Sequence, residues 1–101
     1  MKAKGDCFKS SYDQLMAWTI PEARLVHGIV WHELTGWHIH GWVEVGGHCF
    51  DHGHVMTQEI YYLLGRVKTG EGEIFKYTKQ EAVKKSLEVG KYYFSKLPCK
   101  R

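Results

Sequence analysis

Two consecutive glycines, Gly46-Gly47, stand between runs of alternating apolar and polar residues, and this constrains the chain more than any other feature. The stretch from Gly36 to Asp51 reads as two strands joined by a two-residue turn, for which glycine supplies the positive φ that other residues resist. With Gly46 and Gly47 at the centre of the turn, Val45 faces His48, Val43 faces Phe50 and Trp42 faces Asp51. Side chains alternate along a strand, so His40, Trp42 and Glu44 share a face with Cys49 and Asp51. His40 and Asp51 are then diagonal neighbours, roughly 7–8 Å apart at the backbone, within reach of an imidazole–carboxylate contact. A histidine oriented by a carboxylate supplies two members of a catalytic triad and leaves the nucleophile to be found.

A chain of 101 residues is expected to form one domain, residues 1–101, with one modest core. Its 44% hydrophobic and 14% aromatic content is that of a globular protein. The net charge of +3 comes mostly from lysines near the two ends, which fits a solvated surface and gives no expectation of a nucleic-acid partner. No apolar run approaches the roughly 20 residues of a membrane span and no signal-peptide core follows Met1, so neither a membrane partner nor export is expected and the reading is cytoplasmic. Three cysteines at wide spacing point to free thiols.

Phe8, Tyr12, Leu15 and Met16 recur with helical spacing, and the helix runs to about Trp18, with Asp6 as cap and Cys7 in the first turn. Pro21 stops it. Arg24 to Glu33 reads as a central strand, and Leu34-Thr35-Gly36 turns the chain into the hairpin. Residues 52 to 55 either continue the second strand or leave it. Thr57 to Leu64 reads as a short helix ended by Gly65, with a strand as the alternative. A half-buried strand over Glu73 to Tyr77 follows, and Thr78-Lys79-Gln80-Glu81 is a capping-box signature for a helix ending at Gly90. Helix, mostly antiparallel strands, then helices describe an α+β domain.

Cys7 can supply the nucleophile. The free N–H groups at a helix start favour a thiolate, and an imidazole can take its proton. Asp6 opposes this if its charge faces the sulfur. The alternative is that Cys7 is a small buried apolar residue.

Gly5-Asp6-Cys7-Phe8 opening a helix, His40-Gly41-Trp42-Val43-Glu44-Val45, then a Phe50-Asp51 strand together resemble the papain-like thiol fold, closest to its transglutaminase-like branch. The chain is also similar to small bacterial and phage proteins of that kind, through Leu25-Val26-His27-Gly28, Tyr61-Tyr62 and Tyr77-Thr78-Lys79-Gln80-Glu81-Ala82. The resemblance implies a papain-like core with an N-terminal helix on a mostly antiparallel sheet. It implies Cys7 as nucleophile, His40 as general base and acid, and Asp51 orienting His40. No glutamine stands among Met1 to Asp6 where papain-like proteases carry an oxyanion donor. The implied hole would use the Cys7 N–H and a donor from elsewhere.

All seven histidines, His27, His32, His38, His40, His48, His52 and His54, fall in the middle of the chain. His38 and His40 with Asp51 resemble the His-x-His…Asp pattern of JAMM metalloproteases, although Gly41 and His48 stand where proline and serine are expected. Glu22 or Glu33 would be the upstream glutamate. Structural zinc on some of His48, Cys49, His52 and His54 is a third option, which regular strand geometry does not converge. For His27, His32, His52 and His54 the expected roles are surface or hydrogen-bonded strand positions.

The expectation is thus thiol-dependent acyl chemistry on an amide bond (peptide or isopeptide hydrolysis, deamidation or transamidation) by Cys7, His40 and Asp51, without a cofactor. A protein or peptide is the expected substrate. Trp42 and Glu44 are candidate substrate contacts, with packing beside the site and a cross-strand pair as their alternatives. Trp18, Trp31 and Trp37 are expected in the core, Cys49 as a buried spacer, and Cys99 exposed and inert. The rival is a non-catalytic protein-binding module on the same fold.

Overall fold

The computed structural model describes residues 6–98; Gly5, Cys99, the lysines before Gly5 and the side chain of Asp6, with its expected cap, lie outside the described residues. Helix α1 covers Asp6–Ala17, strand β1 Arg24–His32, β2 Gly36–Val45, β3 His48–Asp51 and β4 His54–Thr57. Helix α2 covers Gln58–Leu64, β5 Ile74–Tyr77 and α3 Lys79–Val89. The strands form one antiparallel sheet in the order β4-β3-β2-β1-β5, with β2 at its centre and β1 beside it. The domain is α+β.

Gly46 and Gly47 both take positive φ, 58° and 79°, and the register across the turn is Val45 to His48, Glu44 to Cys49 and Val43 to Phe50. A second tight turn follows. His52 and Gly53 also take positive φ, 51° and 83°, and fold β4 back so that Asp51 faces His54. Residues 52 to 55 therefore leave β3 through a hairpin. The signal was faint, because histidine before glycine is a rarer turn pair than asparagine before glycine.

Local chemistry fixes the helices. The Thr57 hydroxyl accepts from the Ile60 N–H at 3.3 Å and starts α2. At α3 the capping box is complete: Thr78 Oγ1 accepts from the Glu81 N–H at 3.1 Å and the Thr78 N–H donates to Glu81 Oε1 at 2.8 Å. Gly90 ends α3 in the left-handed conformation.

The sheet is covered on both faces. Leu15 of α1, Leu25, Val43, Tyr77, Ala82 of α3 and Phe94 make one core cluster. Val26, Val30, Trp42 and Cys49 make the other, with Tyr61 and Tyr62 of α2 packed on it. This double cover explains why every residue of β1 from Leu25 to Val30 is buried. Each large side chain so enclosed contributes about 2 kcal/mol. Trp18 is half-buried against Phe50. Trp31 and Trp37 are half-buried at one end of the sheet rather than in its core, beneath the Arg66 guanidinium (4.2 Å) and the Lys68 ammonium (4.5 Å). No helix among the described residues is long and apolar enough to cross a membrane.

Candidate active site

His40 projects from β2 toward the end of β3, where its Nε2 donates to Asp51 Oδ2 at 2.8 Å. The hydroxyl of Tyr61 donates to the same oxygen at 2.7 Å. Two donors on one carboxylate oxygen hold Asp51 in place and commit Nε2 of the ring. The Cys7 side chain comes close enough to the same imidazole to raise its pKa. The structure thus brings Cys7 of α1, His40 of β2 and Asp51 of β3 together, with the imidazole in the middle.

The His40 and Asp51 side chains are 17% and 21% exposed. Burial alone would lower the His40 pKa, but hydrogen bonds to Asp51 and Cys7, together with their charges, raise it from 6.5 to about 9. Burial likewise works to raise the Asp51 pKa and loses to the hydrogen bond and charge of His40, the Tyr61 hydroxyl and the charge of His52; the net direction is down. The pair is therefore an imidazolium facing a carboxylate at neutral pH.

The thiol is delivered by the approach of α1 to β2. Gly41 lies directly under the helix: a Cβ there would stand 3.0 Å from Ser11 Oγ and 3.1 Å from Phe8 Cδ1. Ser11 Oγ itself donates to the Cys7 carbonyl at 2.7 Å. A narrow groove beside Cys7 is lined by Ser10 and Gln14 of the same helix and by Asp51 and His52.

Trp42 and Glu44 sit beneath the site, 0% and 7% exposed. The Trp42 indole stacks on the His40 ring at 6.0 Å between centroids, and its Nε1 donates to Glu44 Oε2 at 2.9 Å. Glu44 Oε2 also accepts from the Tyr62 hydroxyl and from Cys49 Sγ at 3.6 Å, while Lys76 Nζ meets Oε1 at 2.9 Å. A fully enclosed indole and a carboxylate with four partners support the histidine from below rather than present a surface to a substrate. Cys49 is buried, and its pKa is pushed up to about 12 by burial and by the Glu44 charge, so it is no second reactive thiol.

His32, His52 and His54 are exposed, His52 in the turn rather than on a strand. His27 is fully buried. Its Nδ1 shares a 2.7 Å hydrogen bond with Ser95 Oγ, which also meets the Tyr77 hydroxyl at 2.7 Å, while its Nε2 has no partner among the described residues. Burial first, and the charge of His40 second, lower its pKa to about 4. Among the described residues no group of three or more His, Cys, Asp or Glu is placed to hold a metal ion, so neither the His38–His40–Asp51 set nor the His48–Cys49–His52–His54 set converges on one.

Sequence reasoning missed the Tyr61 contact with Asp51, since nothing in the order of residues tells where α2 docks. A cavity of about 370 Å³ lies between α2 and the sheet and has His40 and Asp51 in its wall. The chain matches no known family model, no curated protein and no solved structure.

Proposed function

We propose that this domain carries out thiol-dependent acyl chemistry at an amide bond, with Cys7 as nucleophile, His40 as general base and acid, and Asp51 holding the ring. The observation that carries this reading is the single imidazole hydrogen-bonded to a carboxylate, with a thiol from the first turn of a helix near enough to raise its pKa. The helix packed on an antiparallel sheet, with histidine and aspartate on successive strands, supports a papain-like core of the transglutaminase-like kind.

In the first step the Cys7 sulfur bonds to the amide carbonyl carbon, and the thiol proton resides on His40. The carbonyl oxygen becomes an oxyanion, for which the Cys7 N–H in the first helical turn is a donor. Collapse breaks the carbon–nitrogen bond, and His40 gives its proton to the departing amine. The resulting thioester is cleaved by water, returning the proton to the thiol, or by an amine in a transfer reaction. Hydrolysis, deamidation and transamidation share this first half.

Iodoacetamide labelling of Cys7 at pH 7, followed by mass spectrometry, tests the pairing. The native thiol should react at least about tenfold faster than in His40→Gln. Equal rates in the two proteins would sink the reading. They would favour the non-catalytic binding module instead, and Cys7→Ala would then keep its biological effect.

A further inference from the structure

After Gly90 the chain takes no regular structure, yet residues 91–97 lie close against α1 and the sheet. Phe94, Ser95 and Leu97 are each only 7% exposed. Side chains hold the segment down. Tyr92 packs on Tyr12 of α1 at 4.9 Å between centroids, Tyr93 on Phe8 at 4.8 Å, and Phe94 on Tyr77 of β5 at 5.1 Å. Phe8 follows Cys7 in the first turn of α1, so the Tyr93 ring bears on the turn that carries the thiol. Among the described residues no backbone–backbone hydrogen bond ties the segment to a strand or helix. Its buried polar tie is Ser95 Oγ, 2.7 Å from His27 Nδ1 and 2.7 Å from the Tyr77 hydroxyl. A stretch held this way opens more readily than the sheet beneath it.

That tie is sensitive to one proton. Neutral His27 has a partner in Ser95 and none at Nε2 among the described residues. An imidazolium carries N–H on both nitrogens, so one of them would be buried without an acceptor. The titratable groups that face the ring are His40 of β2, through its charge, Tyr77 of β5 and Tyr93 of the segment, while α1 puts Phe8 there. None of these is a carboxylate that would welcome the charge. With the segment closed the ring stays neutral down to about pH 4. With it lifted, water reaches the ring, which then titrates near its ordinary value of 6.5. Acid therefore favours the lifted form.

We propose that residues 91–97 are an acid-released strap: closed, they press the Cys7 turn of α1 onto the sheet, and a proton on His27 lifts them and slackens the thiol–imidazole contact. The consequence for Cys7 rests on the thiol reading above and adds a control that reading does not contain. The release itself rests only on His27 and its neighbours.

Amide exchange at Leu97, followed by NMR, tests the release, because its N–H donates to the Tyr93 hydroxyl at 2.6 Å. Its protection should be lower than that of the Leu25 and Val26 amides of β1. It should also fall about twentyfold from pH 7 to pH 5, the ratio set by a ring that titrates at 6.5 when lifted and about 4 when closed. In His27→Gln the fall should shrink to about twofold or less. Protection equal to that of β1, or independent of pH in the native protein, would overturn the strap. Tyr93→Ala takes the ring off Phe8 as lifting does, and iodoacetamide labelling of Cys7 at pH 7 should slow about threefold or more. Tyr93→Phe, which keeps the ring, should label at the native rate. If Tyr93→Ala labels as fast as the native protein while labelling still depends on His40, the strap has no hold on the thiol; the proposal is overturned and the thiol reading stands. Labelling that ignores His40 in every variant overturns the thiol reading and, with it, the control of Cys7.

Discussion

At His40 two influences oppose each other, and their balance sets how the site should respond to pH. Burial disfavours the imidazolium; Asp51 and Cys7 favour it, and the result is a pKa of about 9. A raised histidine pKa contributes stability that is fully present below the unfolded value of 6.5 and is lost as pH rises through about 9. Urea midpoints between pH 6 and pH 10 should therefore fall more in the native protein than in His40→Gln. Amide turnover should likewise decline through about pH 9, as His40 loses the proton it gives to the leaving amine. Asp51→Asn should move the His40 ring titration, followed by NMR, to lower pH. His27 has the opposite sign. Its folded value of about 4 means that the unfolded chain gains a proton below pH 6.5 that the folded protein excludes. Stability should drop by about 3 kcal/mol between pH 6.5 and pH 4, and His27→Gln should lose less over that range. Strand alternation left His27 as a surface or hydrogen-bonded strand position; its burial and its bond to Ser95 were not legible, because that contact spans 68 positions of the chain.

Between elements, the Glu44 carboxylate is the joint. Its oxygens take Trp42 of β2, Cys49 of β3, Lys76 of β5 and Tyr62 of α2, so three strands and a helix meet on one side chain. Glu44→Leu strands the buried Trp42 and Tyr62 donors and should cost about 2–4 kcal/mol in urea unfolding. Lys76→Ala removes a cation that is 40% exposed and should cost less than about 1 kcal/mol. The hairpin that places Glu44 against Cys49 could be read from Gly46-Gly47 and strand alternation, because turn length fixes register. The helix that brings Tyr61 and Tyr62 down onto that hairpin could be anticipated only as a helix. Its docking depends on β4, whose His52-Gly53 turn carries no common signature, and on apolar surfaces that a linear pattern does not pair.

Across the whole molecule, the thiol and the imidazole come from different layers, so the distance between them depends on how closely α1 lies on the sheet. Helical spacing and strand alternation foretold the helix and the strands; the packing of one on the other, and with it that distance, came only as what the resemblance implied. Gly41 sets it. A methyl group there would press on Ser11 Oγ at 3.0 Å, Phe8 Cδ1 at 3.1 Å and His27 Cδ2 at 3.3 Å. Two of these contacts belong to the helix turn that carries Cys7, and Ser11 is also bonded to the Cys7 carbonyl. The helix must therefore lift by a few tenths of an ångström, at a cost of about 1–3 kcal/mol. The thiol moves with it. Gly41→Ala should keep the circular dichroism spectrum and lower the urea midpoint modestly, while the rate of Cys7 alkylation falls toward that of His40→Gln. Alkylation unchanged in a measurably destabilised Gly41→Ala would mean that close packing at this glycine serves the core and leaves the thiol–imidazole contact untouched.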